Sequence, residues 1–217
     1  MWLPARVEYL DSQVPTSMSK LLRWHKILLG FVVSAITFVP PAAHAQQAVL
    51  ELDPLQTQVS FALGDVLHTV HGTFKLKRSV ISFDPGTGKA GGLVVVDGAS
   101  GESGSHARDR KMNSDVLQSD EFPDITFAPQ QVQGQVLGQG EFNVQVLGIF
   151  TMHGASHPLT LIVQAHLTGN QLTADTSFNV PYVSWGLKNP STLFLRVNDS
   201  VDIAIHAVGE IRAVGGR

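Results

Sequence analysis

From Thr57 onward, apolar and polar positions alternate with a period of two in one segment after another, the signature of strands that bury one face. In TQVSFALG (residues 57–64), Val59, Phe61 and Leu63 share one face against Gln58, Ser60 and Ala62. TVHGTFKLKR (69–78) sets Val70, Gly72, Phe74 and Leu76 against His71, Thr73, Lys75 and Lys77. VISFDPGTGKAGGLVVVDG (80–98) reads as a hairpin whose turn is built from Asp84, Pro85 and Gly86 with Gly88. The alternation resumes in DITFAP, where Phe127 falls on the apolar phase, and in GEFNVQVLGIFTMHG, where Phe142, Val144 and Val146 do. HPLTLIVQAHLTG aligns Leu159, Leu161, Val163 and Ala165; QLTADTSFNV aligns Phe178 and Val180; DSVDIAIHAVGEI aligns Val201, Ile203 and Ile205.

Seven to nine amphipathic strands joined by short Gly- and Asn-rich turns call for an antiparallel all-β sheet with one buried face. A sandwich and a barrel both satisfy that pattern. Long, meandering strands favour the barrel, because closure removes the edges of the sheet. The predicted fold is an antiparallel β-barrel of about eight strands, which side chains can fill or leave hollow.

One stretch breaks the period. HARDRKMNSDVLQSDEFPDITF (106–127) opens on charge and does not alternate until Ile125. Residues 106–117 hold no Gly or Pro, Ser105 is a plausible N-cap, and Met112 and Val116 stand four apart on one helical face. A short inserted helix is predicted there, ending before Pro123, with Asp109, Arg110 and Lys111 facing water.

Residues 1–45 carry the three parts of an export signal. Lys20, Arg23, His25 and Lys26 form a basic region, residues 27–39 an apolar one, and Ala43-His44-Ala45 a small-x-small cleavage site. The apolar run is short against the ~20 residues that a bilayer core requires. The expectation is cleavage near Ala45, with residues before Met18 an upstream extension, a single domain over 46–217, and a periplasmic or secreted product. Of the 15 Lys and Arg and 18 Asp and Glu, four basic and two acidic residues precede Gln46, which leaves 11 against 16. That balance argues against a nucleic-acid footprint and against electrostatic docking on anionic lipid. With no cysteine, thiol catalysis and thiolate metal sites are excluded.

RDRKM (108–112) and FPDITF (122–127) together resemble the signature of the YceI-like family. LELDPLQTQVSF, VHGTF (70–74), GIFTMHGASHPLTL (148–161), SFNVPYVSWGLKNPS and VNDSVDIAIHA agree and follow the family's order. The resemblance implies an exported, lipocalin-like barrel whose apolar interior holds a long isoprenoid chain or similar amphiphile, with binding or carriage in place of chemistry. Two departures fall at the helix: Lys111 stands where a histidine is common, and the stretch before Pro123 is slightly shorter.

The candidate ligand-binding residues are Phe61, Phe74, Phe127, Phe142, Val144, Leu161 and Phe178 on the apolar phase, with Tyr182, Trp185 and Arg196 as residues for a pocket mouth. Each has a plainer reading: rings that fill a solid core, a packed corner for Tyr182 and Trp185, and an ion pair from Arg196 to Asp199 or Asp202. Arg108 and Asp109 are expected to pair. No cofactor fingerprint is present, and no metal set converges: His68 and His71 fall on opposite faces of a continuous strand, and His153 and His157 lack a third ligand. GESGS (101–105) resembles a serine-protease loop without its full glycine pattern, and Asp109 and Asp120 are the carboxylates an enzyme reading would use. The partners expected are a long-chain isoprenoid, quinone or fatty amphiphile, with no nucleic acid; transient membrane contact and a homodimer are open. The alternative is a filled barrel serving as a structural or interaction module.

Overall fold

A computed structural model describes residues 47–136, 138–192 and 196–214. The export signal expected over residues 1–45 lies outside the described residues, as do residues 193–195 of the TLFLRVND stretch. Nine strands follow in order: β1 (Gln47–Leu52), β2 (Gln58–Gly64), β3 (Thr69–Phe83), β4 (Ala90–Glu102), β5 (Asp124–Gln133), β6 (Gly140–Met152), β7 (Ala155–Thr168), β8 (Gln171–Val180) and β9 (Val201–Val214). Every pairing is antiparallel, and β3–β4 together with the contacts of β1 and β2 to β9 closes the sheet on itself.

The closed barrel has eight rows, because β1 and β2 share one. β1 pairs Leu50 with Ile81 of β3 and Ile211 of β9, and β2 pairs Val59 with Phe74 and Ile205 of the same two strands. Between them the chain leaves the row in a turn held by Asp53, whose carboxylate accepts from the Leu55 amide at 2.8 Å and whose carbonyl accepts from Thr57 at 2.9 Å. The buried Thr57 hydroxyl donates to the Val208 carbonyl and accepts from its amide, so β9 keeps hydrogen-bond partners across the break. The remaining rows run as a strict meander.

The turns follow from their residues. Between β6 and β7, His153 and Gly154 both take positive φ, 51° and 73°, the backbone of a two-residue hairpin turn that matches strand twist. Between β3 and β4, the Asp84 carboxylate accepts from the Gly86 amide at 2.8 Å, and Gly88 donates to the Asp84 carbonyl at 2.7 Å.

The break in alternation is the expected inserted helix, which spans the Gly- and Pro-free residues 106–117 and ends before Pro123. Its first half is α1 (His106–Lys111), and its second half, Met112–Leu117, widens into a π-helical turn. The wider turn brings Leu117 to the interior with Met112 and Val116, which α-helical spacing does not foresee. Ser105 has the extended backbone of an N-cap, and its carbonyl accepts from Asp109 at 2.9 Å, but its hydroxyl makes no capping bond. Side chains tie the segment to β4: Asn113 donates to the Ala99 carbonyl at 3.2 Å, and buried Ser119 donates to that of Gly98 at 3.1 Å. Gly101 permits the close approach, since a Cβ there would stand 2.3 Å from Met112 Cε and 2.8 Å from Phe74.

Candidate functional site

Strand alternation sends an apolar side chain inward at every second position, yet these side chains do not meet in the middle. Phe178, Ile203 and Ile205 face the interior and remain only half-buried. The buried residues form separate clusters, one of Leu117, Phe150, Met152, Val180, Tyr182 and Leu187 at the helix end and two smaller ones elsewhere on the wall. The space left between them is hollow.

That space has two chambers. The outer one, about 570 Å³, is lined by Phe61, Phe74, Met112, Leu117, Tyr182 and their neighbours. The inner one, about 200 Å³, is lined by Phe127, Phe142, Val144, Leu161 and neighbouring aliphatic residues. Val96, Ile125, Phe150, Phe178 and Ile205 border both and form the waist between them. Among the described residues, no ionisable side chain lines the inner chamber. The outer chamber's ionisable groups are Asp65, His68, Arg108 and Lys111 on its rim, and Tyr182.

The rim is built by local chemistry. Asp65 accepts from the backbone amides of Leu67 at 2.7 Å and His68 at 2.9 Å, and these bonds hold its carboxyl below the usual carboxylate range. Arg108 and Asp109 do not pair with each other as expected; both converge on Ser103. The guanidinium donates to the Ser103 hydroxyl at 2.8 Å and carbonyl at 2.9 Å, and the Asp109 carboxylate accepts from the Ser103 amide and hydroxyl. Hydrogen bonds from Ser103, foremost that of its side chain, hold Asp109 below its ordinary value. The GESGS stretch therefore supplies a joint at the start of α1.

Of the predicted residues, Phe61, Phe74 and Tyr182 lie on the outer chamber, Phe127, Phe142, Val144 and Leu161 on the inner, and Phe178 on both. Trp185 and Arg196 are not on the wall of either. Trp185 lies flat on His157, with ring centres 3.9 Å apart at 5°, and against Phe150 at 5.8 Å, so it belongs to a packed corner. Arg196 is exposed, and among the described residues it forms no ion pair. Asp199 and Asp202 instead accept from Asn189 and Asn179, at 2.7 and 2.8 Å. His153 hydrogen-bonds Gln118 while His157 stacks on Trp185, so the two histidines are engaged separately.

Residues 50–209 match the family model of the YceI-like domain. The chain belongs to the YceI-like family. A UPF0312 protein of Vibrio cholerae is 25% identical over 139 residues, covering 63% of this chain and 71% of its own. Among solved structures, BcnA of Burkholderia cenocepacia superposes with a TM-score of 0.59 at 19% identity, over 72% of this chain and 98% of its own. A polyisoprenoid-binding domain from Saccharophagus degradans gives 0.57 at 12% identity, over 75% and 98%. These likenesses establish the lipocalin-like YceI barrel as the fold.

The YceI-like motifs prove to be the parts that shape the cavity. FPDITF places Ile125 at the waist and Phe127 in the inner chamber, while Phe122 packs against His153 with ring centres 4.5 Å apart and the planes tilted by 46°. The VPYVSWG corner places Tyr182, 4% exposed, with its ring on the outer chamber and its hydroxyl donating to the Asn198 carbonyl at 2.6 Å. Burial, aided by Asp199, pushes this phenol from the ordinary 10.0 up to about 12. Unfolding releases that constraint, so Tyr182's contribution to stability is whole below the unfolded value and declines as pH rises from about 10 towards 12. Phenolate absorbance should therefore show a component ionising near pH 12 that Tyr182→Phe removes. The same variant should cost about 1 kcal/mol at neutral pH, through the lost hydrogen bond. Ionisation of Tyr182 near 10 in the folded protein would contradict this placement.

Proposed function

We propose that this YceI-like barrel binds and carries a long apolar chain, an isoprenoid, a quinone tail or a fatty amphiphile, outside the cytoplasm. The observation that carries the reading is the pair of adjoining apolar chambers, which share a wall and of which the larger is edged by polar groups. A thin chain threads such a space, while the rim groups meet a polar head. Burial supplies the affinity: each methylene withdrawn from water is worth about 0.8 kcal/mol, so a long chain has ample driving force without any covalent step. The polyisoprenoid-binding domain of Saccharophagus degradans, which shares the fold, supports the same class of ligand. The open volume speaks against a filled interaction module, and an inner chamber without ionisable groups among the described residues gives acid–base chemistry no foothold there.

Uptake tests this directly. The protein should take up an apolar fluorescent probe and release it to isoprenoid chains, with affinity rising with chain length across the span of both chambers. Failure to take up the probe would overturn the proposal. Export rests on the signal pattern of residues 1–45 and is checked by the mass of the protein recovered from the periplasm or medium. A chain starting at Gln46 is expected, and one that keeps the apolar run of residues 27–39 would count against export.

A further inference from the structure

The loop between β2 and β3 lies at the rim of the outer chamber: Asp65 and His68 line the cavity, and the two residues between them point away from it. These are Val66, 66% exposed, and Leu67, 80% exposed. Adjacent large apolar residues at a loop tip cost solvation in water, and here the loop is not slack. The Asp65 carboxylate fastens it from below through the Leu67 and His68 amides, Asp65 pairs with Val197 in an isolated bridge, and the Val66 amide donates to the Arg196 carbonyl. The structure thus holds the two side chains outward.

Exposed cations share this end of the barrel. Arg108, Arg110 and Lys111 stand on α1, of which Arg108 and Lys111 border the mouth, and Arg196 lies beside Val66. Among the described residues none of the four has a carboxylate partner within 4.0 Å. Two nearby carboxylates are turned to the protein, since the Asp65 side chain is 4% exposed and Asp109 is bonded to Ser103, while Asp115 and Asp199 stand exposed without pairing to the four cations. The acidic balance of residues 46–217 would repel an anionic surface, and the four cations without a carboxylate partner are the local groups that oppose this repulsion.

We propose that the mouth docks on an anionic lipid bilayer, with Val66 and Leu67 entering the boundary between headgroups and acyl chains and the four cations lying against the headgroups. Apolar insertion beside basic side chains is the combination that gives peripheral proteins reversible attachment, each contribution being modest alone. The orientation follows from the geometry, since it presents the opening of the outer chamber to the membrane. The inference rests on the carrier reading only for its purpose; docking itself requires no cargo.

Sedimentation of the purified protein with phosphatidylcholine vesicles, with and without phosphatidylglycerol, tests it. Binding is expected to the anionic vesicles and to weaken as salt screens the headgroups. The double variant Val66→Asp, Leu67→Asp should lower partition by about tenfold or more, while apolar-probe uptake in solution stays unchanged. Arg110→Glu should weaken binding to anionic vesicles and leave neutral ones unaffected. Natural protein that stays in solution with anionic vesicles, or a loop variant that sediments like the natural protein, would overturn the proposal. Vesicle binding that persists in a protein unable to take up probe would leave docking standing and remove the carrier reading alone.

Discussion

Ile205→Trp is expected to reduce uptake of a long isoprenoid chain by about two orders of magnitude while leaving short chains bound and the fold intact. Ile205 sits on β9 between Val59 and Thr176 of the flanking strands, and its side chain borders both chambers. A larger apolar group there grows into open space, so it does not meet the close-packed atoms that make enlargement costly in a solid core. What it blocks is the passage. A chain stopped at the waist keeps the outer chamber and loses the inner one, and withdrawing even four methylenes from burial costs about 3 kcal/mol. Displacement titrations with chains of increasing length should therefore show affinity that stops rising at the capacity of the outer chamber. Thermal stability should hold or rise. Equal losses for short and long chains would contradict two chambers in series.

Phe150→Ala should carry the largest cost in stability. Phe150 is 7% exposed, belongs to the buried cluster at the helix end, and faces Phe178 at 6.0 Å and Trp185 at 5.8 Å. Removing a buried ring costs about 3–5 kcal/mol, and the lower part of that range is expected because one side of this ring already borders open space. For a domain of this size the melting temperature should fall by roughly 10 °C. The variant also widens the waist, so any protein that remains folded should accept bulkier chains than the natural one. Urea denaturation measures the first effect, and a loss below about 1 kcal/mol would show that the ring does not join the walls as described.

Much of this architecture was legible because a period of two fixes which side chains face inward. Val59, Phe61, Phe142, Val144, Leu161, Phe178 and Ile205 all lie on the phase that the alternation assigns, and the meander follows from short turns. β1 was missed as a strand because its six residues earn their place by pairing with β3 and β9, which are far away in sequence. Hollow and filled barrels share one inward phase, so the waist at Phe150 and Ile205 required knowing where opposite walls stop. Trp185 fell outside the cavity because the corner after β8 meets His157 of β7, a contact that no local pattern records. Ser103 carried no signal of its role. It looked like part of a broken nucleophile loop, and its work in joining Arg108 to Asp109 appears only when the chain turns from β4 into α1.

The central claim is that the hollow holds a chain, and the most direct measurement is mass spectrometry of an organic extract from protein purified natively, beside the Ile205→Trp protein prepared in the same way. The account predicts a lipid with a long apolar chain in near-stoichiometric amount from the natural protein and little from the variant. An empty extract from both, together with no uptake of isoprenoids in solution, would contradict it.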